Sequence, residues 1–193
     1  MRALAVLVAL LSGGAGVGHQ TPVVVVETEA GAIEIQLEPS RAPMTVANFL
    51  RYVDQQMYDG GRFHRAVRLD NQVRSDVLIE VIQGGRNPAD AKARPGFGPI
   101  QLERTSLTGL KHLDGTISMA RGNAPDSASS DFFICVNDQP SLDEGGARSA
   151  DKQGFAAFGR VVRGMEVVRK IQSGNAAKEQ LDPPVRIVRV YRK

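Results

Sequence analysis

The chain has no tryptophan, one cysteine and three histidines in 193 residues. With Cys135 alone, no intramolecular disulfide can form, so a packed core must hold the fold. Beside Phe132, Phe133 and Ile134, that cysteine reads as a small buried hydrophobe rather than a nucleophile. His19, His64 and His112 show no ligand spacing and no cysteine pair accompanies them, so neither a metal nor an organic cofactor is expected. The formal charge is only +3, and acidic and basic residues are interspersed. The one dense basic run is the tail, Arg186, Arg189, Arg192 and Lys193. Nucleic-acid binders gather positive charge on one face or arm. No nucleic-acid partner is expected, and the tail reads as a solvated strand end. Residues 3–11 are apolar without interruption, but a spanning helix needs ~20 such residues, so no stable membrane association is expected either.

That apolar run has its own reading. Arg2 precedes it, and small, flexible residues follow from Ser12 to Gly18. This is the layout of a secretory signal peptide, with cleavage expected between Ala15 and Gln20. The expected organisation is therefore residues 1–20 as signal peptide and 21–193 as one domain. The mature product is expected in the periplasm, or fully secreted, and as a monomer.

Twenty glycines and ten prolines imply many turns. Val23 to Thr28 is rich in β-branched residues. After a turn at Glu29–Gly31, Ile33, Ile35 and Leu37 alternate with Glu34, Gln36 and Glu38, which predicts a hairpin with a half-buried second strand. Beyond Pro43, Val46, Phe49, Leu50 and Val53 keep helical spacing. Further strands are predicted over residues 63–67, 77–83, 115–120, 132–136, 155–162 and 185–191, with a second helix over 164–172 whose Met165, Val168 and Ile171 face inward. About eight short strands with two helices suggest a sandwich or a closed barrel. The connections over residues 87–98 and 122–130 are long, as functional loops tend to be.

Five segments stand out: Phe63-His64-Arg65, Gln83-Gly84-Gly85, Ser118-Met119-Ala120-Arg121, Phe132-Phe133-Ile134-Cys135, and the run from Gly154 to Gly159. Singly, each has a bland reading: a salt-bridged strand end, a turn or a buried strand. In this order, together with the Gly-Ala-Ile-Glu-Ile strand and the Pro43–Tyr52 helix, the set resembles the cyclophilin family of peptidyl-prolyl cis–trans isomerases from Val23 to Tyr191. The Ser-Met-Ala-Arg variant and the leader are similar to its exported bacterial branch. The resemblance implies a mainly β fold, a closed eight-stranded antiparallel barrel capped by two α-helices, with the substrate groove on its outer face. It implies Arg65 and Gln83 as catalytic residues. Phe63, Val81, Ala120, Arg121, Phe133, Leu142 and Phe155 are implied to bind proline-containing, unfolded or partly folded polypeptides. Phe133 would be the pocket floor, and the backbone at Arg121 would pair with the substrate chain.

The chemistry fits such residues. An amide C–N bond is planar because nitrogen shares its lone pair with the carbonyl, with a barrier of roughly 18–20 kcal/mol. Xaa-Pro bonds cross it unaided in about tens to hundreds of seconds. No bond is made or broken, so an enzyme need only prefer the twisted state. There the prolyl nitrogen regains its lone pair, and an arginine, always protonated and rich in donors, is suited to hydrogen-bond it. Period-2 geometry puts Val81 and Gln83 on one strand face and sends Phe132 and Phe133 to opposite faces.

Five departures from the family pattern matter. Glu80 stands where an apolar wall residue is usual. Residues 69–76 form a polar insertion, expected at the surface. Ser141 replaces a frequent tryptophan, and the lost indole donor implies weakened binding of the cyclic peptide cyclosporin. Phe155 replaces a frequent rim histidine, and Asp131 a glutamine. The thinned wall motivates an alternative, a chaperone or module that binds proline segments without turnover. A hydrolase using His64 or His112 with a serine has no Gly-x-Ser-x-Gly elbow to support it.

Overall fold

The computed structural model describes residues 21–193; the expected signal peptide lies outside the described residues. β1 (Val23–Thr28) and β2 (Gly31–Leu37) form the predicted antiparallel hairpin. Thr28 Oγ1 closes the turn by donating to the Gly31 carbonyl at 2.7 Å and accepting from the Ala30 N–H at 3.1 Å. α1 (Pro43–Asp54) follows, with Val46, Phe49, Leu50 and Val53 buried as their spacing predicts. Its first turn has no side-chain cap of its own. Instead the Glu103 carboxylate accepts the Met44 and Thr45 N–H groups at 3.1 and 2.8 Å, a favourable place for negative charge.

The remaining strands are β3 (Arg62–Val67), β4 (Val81–Gly85), β5 (Thr116–Met119), β6 (Phe132–Cys135), β7 (Ala157–Arg163), the two-residue β8 (Ala176–Ala177) and the long β9 (Gln180–Arg192). They join in the order β1-β2-β7-β5-β6-β4-β3-β9, and β9 pairs back onto β1. Eight strands thus close a barrel, leaving β8 as a short partner of β9. Closure removes the exposed edges that invite association. α4 (Met165–Gln172) buries Val167, Val168 and Ile171 against the same core as α1, while Met165 is only partly covered. Inside the barrel Phe132 meets Phe49, Tyr58 and Phe63 edge-on at 5.5–5.8 Å between ring centres, the favoured aromatic geometry.

The structure corrects several predicted boundaries. Residues 77–80 are not in a strand: Arg148 donates to the Val77 carbonyl and Gln72 accepts the Ile79 N–H, while the Glu80 carbonyl accepts the Val136 N–H at 2.9 Å. The strand runs on instead through Gly84 and Gly85. A Cβ on Gly84 would stand 2.8 Å from the Phe63 ring, so the close β3–β4 approach needs glycine there. β9 begins at Gln180, five residues before the prediction. Two short helices, α2 (Pro88–Ala93) and α3 (Thr105–Thr108), lie in connections read as loops. The basic tail is the outer face of β9, where Arg189, Arg192 and Lys193 pair with Glu27, Asp54 and Glu34.

Candidate active site

Strand register builds one row of side chains across the outside of the barrel. Arg65 on β3 is paired with Gln83 on β4, Gln83 with Phe133 on β6, and Phe133 with Ser118 on β5. Directly beside this row lies the pair Val81 and Cys135. Plain alternation would place Phe63 and Arg65 on the same face of β3. A register shift between them leaves His64 as an extra residue. That bulge turns Phe63 into the barrel and Arg65 outward, a common device beside active sites.

The row opens into a hollow of about 240 Å³ lined by Arg65, Ile79, Val81, Gln83, Ala120, Arg121, Phe133, Leu142, Arg148 and Phe155. Its size is below the roughly 300 Å³ of small-molecule and cofactor pockets, and suits a single side chain. Phe133 is 5 % exposed and Leu142 1 %. The Phe155 ring meets Phe133 edge-on at 5.5 Å. Phe155 precedes β7, which frees it from the ladder to face the hollow. The Arg121 guanidinium lies over the Phe155 ring and is tied to the Gly154 carbonyl at 2.9 Å and to Asp151 at 2.7 Å. It clamps the wall and does not reach out to a substrate.

At the polar end, Arg65 Nη1 donates to Gln83 Oε1 at 2.8 Å, while Nε and Nη2 donate to Glu179 Oε2 at 2.9 and 2.6 Å. A guanidinium has five N–H donors, so one on each terminal nitrogen remains. The Arg65 side chain is 26 % exposed. The site is thus a fixed cation with spare donors beside an apolar floor. Among the described residues no group of three or more His, Cys, Asp or Glu could hold a metal ion.

A family model described as cyclophilin type peptidyl-prolyl cis-trans isomerase/CLD matches residues 23–192. The chain belongs to the cyclophilin-type peptidyl-prolyl cis-trans isomerases. It is 39 % identical over 168 residues to peptidyl-prolyl cis-trans isomerase A of Dickeya dadantii, covering 86 % of this chain and 80 % of that one. With peptidyl-prolyl cis-trans isomerase B of Escherichia coli it shares 37 % over 145 residues, 75 % of this chain and 80 % of the relative. In fold it is similar to the cyclophilin of that type from Cryptosporidium parvum, with a TM-score of 0.71 at 21 % identity, covering 90 % of this chain and 98 % of the other.

Within this cyclophilin, eight of the nine residues singled out in the sequence lie around the hollow, and Phe63 does not. It is fully buried among the barrel aromatics because of the bulge at His64. Glu80 does not thin the wall: it turns away to accept from Asn137 Nδ2 at 2.8 Å, and Ile79, one residue earlier, lines the hollow in its place. The insertion over 69–76 does lie at the surface, with Leu69 and Val73 59 % and 74 % exposed. Its polar groups nonetheless brace the site. Gln72 holds Ile79, the Val73 N–H donates to Glu179 Oε1 at 3.2 Å, and Arg74 donates to the Arg148 carbonyl at 2.6 Å.

Three contributors escaped the sequence reading: Ile79, Arg148 and Glu179. Arg148 lines the hollow, and burial, followed by the nearby charge of Arg65, lowers its pKa. A Ser–His–Asp line is also present. His112 Nε2 is 2.9 Å from Ser118 Oγ, and Nδ1 is 2.8 Å from Asp143 Oδ1. It is sealed, since Ser118 and His112 are 0 % and 1 % exposed and the Phe133 ring stacks over His112 at 5.9 Å. A substrate carbonyl cannot reach that hydroxyl, so the line supports the pocket floor and is not a hydrolase triad. Cys135 is fully buried too, and burial pushes its thiol well up, against nucleophilic use.

Proposed function

We propose that the hollow isomerises Xaa-Pro bonds by a non-covalent mechanism in which Arg65 donates to the prolyl nitrogen of the twisted amide. The prolyl ring sits on Phe133 between Val81, Leu142 and Phe155, while the backbone at Ala120 and Arg121 and the Gln83 side chain hold the flanking chain. The observation that carries this reading is the held guanidinium, with spare donors, at the lip of a hollow that has an apolar floor and the size of one side chain. Because the donor is fixed beforehand, it favours the twisted state without reorganising. The clients are proline-containing chains still folding, and the protein acts on them as a monomer. The leader-like residues 1–20 support action outside the cytoplasm, in the periplasm or medium. Binding without turnover is the weaker reading, since Ile79 supplies the wall that Glu80 leaves out.

A proline-switch assay on a short Xaa-Pro peptide tests the proposal. The wild-type protein is expected to exceed the uncatalysed rate, and Arg65→Ala to lose roughly 100- to 1000-fold, as removal of one transition-state donor does elsewhere. No rate above background for wild type rejects the enzyme reading. A folded Arg65→Ala with undiminished rate rejects Arg65 as the donor.

A further inference from the structure

Glu179 sits in a costly place. It belongs to the two-residue turn between β8 and β9, where Lys178 (φ 49°) and Glu179 (φ 70°) both take left-handed conformations. Such turns favour Asn and Gly, because a Cβ is strained there. This turn has neither, and Glu179 is 6 % exposed. Strain of this kind persists where the surroundings over-determine it, commonly beside functional sites.

The contacts show what the strained residue does. Glu179 Oε2 accepts from both Nε and Nη2 of Arg65. Oε1 accepts the Val73 N–H from the 69–76 insertion, and the Glu179 carbonyl accepts the Ala66 N–H at 2.9 Å. Gln83 alone would fix only one terminal nitrogen of Arg65 and leave the guanidinium free to swivel about that bond. A second anchor, on the Nε edge, sets the plane of the group and hence the direction of its two spare N–H bonds. The insertion closes over the far side of the carboxylate and keeps it in place.

We infer that Glu179 is a positioning residue for Arg65: it aims the guanidinium at the prolyl nitrogen and does not touch the substrate. This rests on the reading of Arg65 as the donor. Its effect belongs on the twisted state rather than on substrate capture, so it should be seen in kcat more than in KM.

The test uses Glu179→Gly, which removes the carboxylate while suiting the φ of 70°, so the fold is retained. Its kcat is expected to fall roughly tenfold or more, the scale of a misaligned catalytic group, with KM little changed. The Arg65 Nε–H signal in a nitrogen–proton NMR spectrum, assigned by its loss in Arg65→Ala, is expected to move to the position of a free arginine. Glu179→Gln, which keeps an acceptor without the charge, should recover part of the rate. The inference is overturned if Glu179→Gly keeps wild-type kcat, or if kcat falls with the Arg65 signal unmoved. Full turnover in Arg65→Ala is a separate result that removes the underlying reading first.

Discussion

Phe133→Ala separates the two jobs of the pocket floor. In the protein's own stability, Phe133 packs with Val67, Ile79, Val81, Cys135 and Leu142, meets Phe155 edge-on and covers His112. Phe→Ala in a core costs about 3–5 kcal/mol. Phe133 borders an open hollow that solvent can fill, so the low end, about 3 kcal/mol, applies. For a domain of this size, roughly 2–4 °C of Tm are lost per kcal/mol, so the melting midpoint should fall by roughly 6–12 °C. In binding, a prolyl ring laid on the phenyl face removes on the order of 50 Å² of apolar surface from water, about 1.3 kcal/mol at 25 cal/mol per Å². That is about tenfold in capture.

The assay is a peptide titration in the proline-switch format, run well below the lowered midpoint and paired with a thermal melt. The expected pattern is a KM raised about tenfold with kcat reduced less, because Arg65 and Gln83 are held from β3, β4 and the β8–β9 turn and do not lean on Phe133. A folded variant with unchanged KM refutes the placement of proline on this ring. A kcat that collapses while KM stays constant refutes the division of labour between floor and donor.

Two further changes probe the surroundings. Burial, opposed by nearby His64, raises the pKa of Asp131 above its ordinary 3.8. At neutral pH the folded protein therefore carries a charge that it holds less readily than the unfolded chain does. Asp131→Asn should raise Tm at pH 7, and the gain should shrink as pH falls through the raised value and vanish below 3.8, where both states are protonated; a gain independent of pH refutes the attribution. Gly154 has φ 68°, and a Cβ there would stand 2.5–2.7 Å from backbone atoms of residues 142–144. Gly154→Ala should cost at least about 2 kcal/mol, from left-handed strain plus displacement. It should also raise KM, because Gly154 anchors Arg121 and precedes Phe155. An unaltered melt contradicts this.

What the sequence made legible follows from the range over which each signal acts. Helix α1 and the β1–β2 hairpin rest on local periodicity, and both stand where the pattern puts them. The opposite facing of Phe132 and Phe133, and the shared face of Val81 and Gln83, needed only alternation. Phe63 was misplaced because one bulged residue, His64, reverses alternation without altering composition. The wall was misread one residue out of register: Glu80 and Ile79 exchange roles because the backbone at Val77 and Ile79 bonds to side chains of Arg148 and Gln72 instead of a neighbouring strand. Glu179 had no local signal pointing to Arg65, which lies 114 residues away. The hint available was a charged two-residue turn, Lys178-Glu179, without glycine or asparagine.

The row Arg65–Gln83–Phe133–Ser118 explains why a groove on the outside of a barrel can be stiff enough for this chemistry. Neighbouring members sit on hydrogen-bonded strands, and their chain neighbours Phe132, Ile82 and Ile117 point into the close-packed interior. Moving a groove residue therefore requires moving a core residue, and cores resist displacement. Arg65 has a core neighbour too, the fully buried Ala66, but the bulge that turns it outward interrupts the ladder beside it. Arg65 is the member of the row that carries a second anchor, Glu179. The bulge in the scaffold and the extra ion pair coincide, as expected if the orientation of the donor, more than the presence of the groove, limits the rate.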